Sequence, residues 1–144
     1  MASMLEYIQG QIGKEAKENS PSPFGAWLNG KLIAAEPGTL TVEFVVREEQ
    51  TNPGGLMHGG VAAAIMDEVM GMTLFTLNKE TFYVAVNLNV DFLRPGRKGE
   101  KLTAVSETIR DGRTMTHCEC KIYNEEKKLI AKATTNLSQI KLKS

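Results

Sequence analysis

Leu5, Ile8, Ile12 and Ala16 recur at helical spacing behind Ser3-Met4-Leu5-Glu6, a stretch with the form of a capping box, so a short amphipathic helix is expected at the start. Asn19-Ser20-Pro21-Ser22-Pro23 then breaks it. After Pro37-Gly38, the residues Leu40, Val42, Phe44 and Val46 alternate with Thr41, Glu43 and Val45, the period of a strand. A glycine-flanked loop follows and runs into a nearly uninterrupted apolar segment, Val61 to Leu77, which predicts a helix buried on most sides. Beyond Asn78-Lys79-Glu80 the chain changes character, and Val84 to Leu93, Lys101 to Arg110, Thr114 to Tyr123 and Leu129 to Leu142 read as strands. Arg94 to Gly99, Asp111-Gly112 and Asn124-Glu125-Glu126 are the turns between them. The pattern predicts an α+β fold: the last four strands in a meander, and one antiparallel sheet of about five or six strands covering one long apolar helix.

No repeat, low-complexity tract or linker interrupts the 144 residues, so a single domain is expected over 1–144, with 1–23 as an N-terminal helix and loop. Lys plus Arg and Asp plus Glu both count 17, which leaves no global basic field to hold nucleic acid or an anionic membrane. Any anion site must be local. Met1 to Glu6 has neither a basic lead nor a long apolar run, so no secretory signal is read there and a cytoplasmic location is expected. Asp67, Glu68 and Gly71 interrupt the longest apolar segment and argue against a membrane span.

Cys118 and Cys120 sit two apart in a strand-like run, on one face, with Cα atoms about 6.5–7 Å apart and parallel Cβ vectors. That geometry is poor for a disulfide. His117 alternates to the opposite face, so no metal set forms and both cysteines are read as small core residues.

The acid pair inside the apolar helix is the first chemical question, because Asp or Glu is almost never fully buried without a partner. Ala63, Ala64, Met70 and Gly71 flank Asp67 at three- and four-residue spacing, whereas Ala64, Ile65, Gly71 and Met72 flank Glu68. Asp67 has the smaller neighbours, which would let a substrate or another backbone approach. It is the better candidate for chemistry, and the alternative is that both acids occupy an exposed helix edge. Glycines in the first turn of the same helix, Gly59 and Gly60, leave backbone N–H groups uncovered where the helix dipole also favours negative charge. Such a place suits the developing oxyanion of acyl transfer. The alternatives are a turn that needs permissive backbone angles and a His58 that serves as a cap.

Asn52, then His58-Gly59-Gly60, then Asp67 in an apolar helix, followed by "NVDFLRPGRKGE" and "IRDGRT", resembles the hotdog-fold acyl-CoA thioesterases of the phenylacetate-pathway (PaaI-like) type. The similarity runs from about Trp27 to Ile140. It implies a long helix wrapped by an antiparallel sheet, a dimer joining two sheets edge to edge, and often a tetramer. It also implies hydrolysis of an acyl-CoA thioester to a carboxylic acid and free coenzyme A, with no metal or bound cofactor. The residue matching Asp67 is then nucleophile or general base for water, the N–H matching Gly59 polarises the carbonyl, and Asn52 and His58 position water or substrate beside it. Where some members carry a Ser or Thr hydroxyl, this chain has Ala85, and Asn87 is one possible substitute.

The residues themselves agree with that chemistry. A thioester carbonyl needs only polarisation and one well-placed carboxylate, and the chain contains no G-x-S-x-G, H-E-x-x-H or P-loop motif. A hotdog dehydratase and a non-catalytic acyl-CoA binder or sensor are the competing readings. For the coenzyme A phosphates, the local cations expected are Arg94, Arg97 and Lys98 in one turn and Arg110 and Arg113 in the other, with Gly60 beside the substrate. Met70, Met72, Phe75, Phe82 and Tyr83 are read as core in preference to pocket lining. Finally, Asp67 lies eight residues beyond Gly59, about 12 Å along a helix, so one carbonyl cannot touch both. A second copy with its helix antiparallel would supply the missing half of each site.

Overall fold

A computed structural model describes residues 1–79 and 81–140. The N-terminal segment forms three short helices, α1 (Met4–Gln9), α2 (Ala16–Asn19) and α3 (Pro23–Leu28). Strands β1 (Lys31–Glu36) and β2 (Thr39–Val45) follow, then a short 3₁₀ turn at Glu48–Gln50 and the long helix α4 (Gly59–Phe75). Four more strands complete the chain: β3 (Phe82–Phe92), β4 (Lys101–Asp111), β5 (Met115–Tyr123) and β6 (Leu129–Ile140). The six strands make one antiparallel sheet in the order β1-β2-β4-β5-β6-β3. This is the helix-in-sheet arrangement that the hydrophobic pattern predicts.

The core lies between α4 and the concave face of the sheet. Ile65, Met66, Val69, Met70 and Leu74 are buried on the helix, against Val42 and Phe44 of β2, Leu102 and Ala104 of β4, Cys118, Cys120 and Ile122 of β5, and Ala133 and Leu137 of β6. Both cysteines are fully buried on that face, and burial pushes the Cys120 thiol up to about 12. Thr73 Oγ1 bonds Val69 O at 2.7 Å and Ser106 Oγ at 2.8 Å, a buried polar pair that fixes the helix against β4. No helix among the described residues is long and apolar enough to cross a membrane.

Four details depart from the sequence reading. The capping box at Ser3 and Glu6 forms, but α1 stops at Gln9 instead of continuing to Ala16, because the chain turns through Gly10 and Gly13, the latter at φ +88°. The break at Asn19 to Pro23 is followed by a helix, α3, with Pro23 at its first turn and Ser22 Oγ accepting from the Gly25 N–H at 3.0 Å. β1 adds a strand before Leu40. The meander is confined to β4, β5 and β6, while β3 crosses to the far edge and pairs only with β6. Positions 141 and 142 of the last expected strand, and residue 80 of the turn before β3, lie outside the described residues.

Candidate active site

The loop before α4 is built to deliver one helix N-terminus. Asn52 Oδ1 accepts the N–H groups of Gly54 and Leu56 at 2.9 and 3.2 Å, and Gly55 takes the left-handed φ of +77° that the turn requires. Main-chain bonds from His58 N to Gln50 O (2.8 Å) and from Met57 N to Gly96 O (2.7 Å) then hold His58 at the N-cap. Its Nδ1 accepts the Gly60 N–H at 2.8 Å, so the neutral ring carries its proton on Nε2. The N–H groups of Val61 and Ala62 bond His58 O at 2.9 and 3.2 Å. Three of the four donors that open the helix are therefore satisfied, and among the described residues the Gly59 N–H has no acceptor.

Gly59 lines a cleft of about 320 Å³ together with Asn52, Met57, Phe92, Arg94 and Ala131. A methyl group on Gly59 would come within 3.3 Å of Phe92 Cε1 and Cζ, so the glycine also allows the ring to lie close over the helix end. The structure thus brings Asn52, Gly59 and Arg94 to one cleft, next to the cap residue His58. Gly60 uses its N–H within the cap, which leaves Gly59 as the free donor of the two. Phe92 was not anticipated as a site residue, because at the end of a strand-like run it carries no signal that separates it from core.

Asp67 faces elsewhere. It lines a cavity of about 860 Å³ whose walls include Gly71, Met72 and Phe75 of α4, Tyr7 and Ile8 of α1, and Tyr83 of β3. Its carboxylate is exposed to water on the cavity wall, yet the surrounding protein strips enough hydration to raise its pKa above the usual carboxylate value. Glu68 is half-buried beneath α3, where a methyl group on Gly25 would lie 2.6 Å from its Oε1. Of the residues read as core, Met70 is fully buried and Met72, Phe75 and Tyr83 pack against the core, while Met72, Phe75, Phe82 and Tyr83 also line this cavity. The α1 residues were missed because Met4 and Tyr7 lie beside the apolar stripe and not on it.

Ala85 also lines the cavity, so no hydroxyl stands there. Asn87 does not replace it. A bulge between Ala85 and Asn87 turns the Asn87 side chain to β6, where its Oδ1 accepts from Asn136 N at 2.9 Å and Asn136 Nδ2 at 3.3 Å. The two basic turns flank β4 at opposite ends, roughly 30 Å apart for eleven residues of strand, so within one protomer they cannot clamp the same phosphates. Arg94 Nη1 donates to Leu129 O at 2.7 Å and Lys98 pairs with Glu48 at 3.5 Å, while among the described residues Arg97, Arg110 and Arg113 have no carboxylate partner.

Residues 54–131 match the family model described as the thioesterase superfamily. Acyl-coenzyme A thioesterase 13 of Homo sapiens is 31% identical over 101 residues, covering 69% of this chain and 72% of that protein. Zebra fish thioesterase superfamily member 2 superposes with a TM-score of 0.79 at 23% identity, over 98% of this chain and all of that one (100%). The E. coli PaaI protein from the phenylacetic acid degradation operon superposes with a TM-score of 0.70 at 24% identity, over 74% of this chain and 80% of that one.

Proposed function

Because the chain belongs to the thioesterase superfamily, with the hotdog fold of PaaI-like members, and is a thioester hydrolase, we propose that it hydrolyses an acyl-CoA to a carboxylic acid and free coenzyme A at sites shared across a homodimer. The acyl-CoA assignment is supported by the name of its human relative. The observation that carries the shared site is the separation of its two halves. The free Gly59 N–H and the Asp67 carboxylate stand on one continuous helix, about 12 Å apart, and line different cavities. A reacting carbonyl needs both within about 3–3.5 Å.

A second protomer with an antiparallel α4 brings the Asp67 of one chain to the Gly59 of the other, twice, by two-fold symmetry. β3 offers the seam. It is an edge strand with Val84, Val86, Leu88 and Phe92 exposed, the kind of apolar edge that pairs with another chain. In each site the Gly59 N–H stabilises the oxyanion, with His58 and Asn52 beside it. The Asp67 carboxylate drives the attack, either on the carbonyl carbon itself, forming a mixed anhydride that water then hydrolyses to the acid and free Asp67, or by taking a proton from the attacking water. The C–S bond breaks, and the thiolate leaves as coenzyme A once protonated. The acyl group lies in the cavity under Asp67, and the coenzyme runs past the Arg94 to Lys98 turn.

The test is release of thiol from acyl-CoA. Asp67→Asn should lower turnover about a hundredfold or more while acyl-CoA still raises the melting temperature, and Glu68→Gln should do much less. Equal losses from the two variants would overturn the assignment of Asp67.

A further inference from the structure

We propose that Gly71 is the residue that sets how long an acyl chain the enzyme accepts, a proposal that rests on the acyl-CoA reading above. Asp67, Gly71 and Phe75 follow one another at four-residue spacing, so they share one face of α4, and all three line the large cavity. An acyl group whose carbonyl sits at Asp67 and whose chain runs along this face passes Gly71 about 6 Å on and meets Phe75 about 12 Å on.

Glycine is the least favoured residue in a helix interior after proline, so a mid-helix glycine calls for a reason. The reasons visible within one protomer fail here. Gly71 lies in regular α-helix without a positive φ, and a methyl group built on it meets no heavy atom within 4 Å beyond its two chain neighbours and its own helix backbone. Nothing in its own protomer needs the missing side chain. What the absence does is leave a notch in the cavity wall directly beyond the acid. The cavity is also lined by Met72 of α4, Tyr7 of α1 and Tyr83 of β3, apolar or aromatic side chains that suit an acyl tail lying in that notch.

The experiment compares kcat/KM for decanoyl-CoA and acetyl-CoA in the wild type, Gly71→Ala and Gly71→Leu, with sedimentation to fix the oligomeric state. A two-carbon acyl group ends before Gly71 and a ten-carbon one passes it. The expected result is a decanoyl-to-acetyl ratio that falls about threefold in G71A and tenfold or more in G71L, with the assembly intact. G71A should also melt higher than wild type, so a folding defect cannot account for its ratio. An unchanged ratio in both variants overturns the proposal while leaving the thioesterase intact. Loss of the dimer in G71L with no change of ratio in G71A overturns it as well, and assigns the notch to the partner's helix. A wild type that releases no thiol from any acyl-CoA removes the functional reading, and this inference with it.

Discussion

Asp67 and Gly59 share one uninterrupted helix, eight residues apart, yet each opens onto a different cavity. A site that needs both must draw them from two chains, and complementation tests that directly. Gly59 is the first residue of α4 and His58 before it is extended at φ −61° and ψ 135°, so Gly59→Pro removes the N–H where a helix tolerates proline, with only a small adjustment of the Phe92 ring. Homodimers of Asp67→Ala and of Gly59→Pro should both be inactive. Mixed dimers should regain one working site of two, about half the wild-type rate per mixed dimer. No recovery after verified subunit exchange would place both groups' work within one chain.

The pH dependence of Asp67 has a definite sign. Burial raises its pKa, and the carboxylate must be ionised to act, so turnover should fall on acidification at a higher pH than an ordinary aspartate would give. For stability, a raised pKa means that the folded chain holds this proton more tightly than the unfolded one. The group therefore favours folding below the ordinary aspartate value of about 3.9, and that contribution is lost as pH rises through the folded pKa. Asp67→Asn should accordingly melt higher than wild type at neutral pH, with the gap closing as pH falls. A variant that melts lower at neutral pH would mean that the carboxylate is held by favourable contacts instead of being penalised by burial.

His58 carries two separable duties. Its Nδ1 caps α4, and loss of a cap costs about 1 kcal/mol, so His58→Ala should be destabilised by that order. Asparagine is among the best N-cap residues and lacks a ring N–H, so His58→Asn should recover most of the stability. If the ring also positions water or substrate, turnover in His58→Asn should stay about tenfold down or more. Recovery of both quantities together would reduce His58 to a cap.

The legible and illegible parts of this chain divide on physical grounds. α4 was readable because a run apolar on all sides can only be buried, and its first turn was readable because glycines after His58 announce uncovered donors. Strand order was not. Period-two alternation says which residues share a face and nothing about which strand lies alongside, so β3 looked like the first strand of a meander when it is an edge. The end of α1 was missed because Ile12 and Ala16 keep the helical spacing past Gly13, whose positive φ the apolar pattern does not register. Met72, Phe75 and Tyr83 do pack against the core as read, and their second face on the cavity was missed because a pocket is lined by the same side chains as an interior.

The basic turns make a sharper prediction apart than together. Arg94 shares the cleft of Gly59, and Arg97 is without a carboxylate partner among the described residues, whereas Arg110 and Arg113 stand at the far end of β4. Arg97→Ala in an Arg94→Ala background should raise KM about tenfold and flatten its dependence on salt, because phosphate contacts by exposed cations are screened by ions. Arg113→Ala should change KM little. The opposite result would mean that the phosphates meet the 110–113 turn, supplied by the partner chain.

The proposed seam along the edge of β3 can be tested at its bulge. Val86 is the extra residue between Ala85, which pairs with Leu137, and Asn87, which pairs with Asn136, and it is 56% exposed on the outer edge of the sheet. A lysine there costs the isolated protomer little, since the side chain reaches water, and surface substitutions of this kind usually stay within about 0.5 kcal/mol. In an edge-to-edge dimer through β3 the same lysine would put a charge into the apolar seam. Val86→Lys should therefore sediment as a monomer with an unchanged circular-dichroism spectrum. On the proposal that each site takes Asp67 from one chain and Gly59 from the other, it should lose thiol release almost completely. A folded, monomeric Val86→Lys that still hydrolyses acyl-CoA would show that a single chain is sufficient, and would move the seam and the shared site out of the mechanism together.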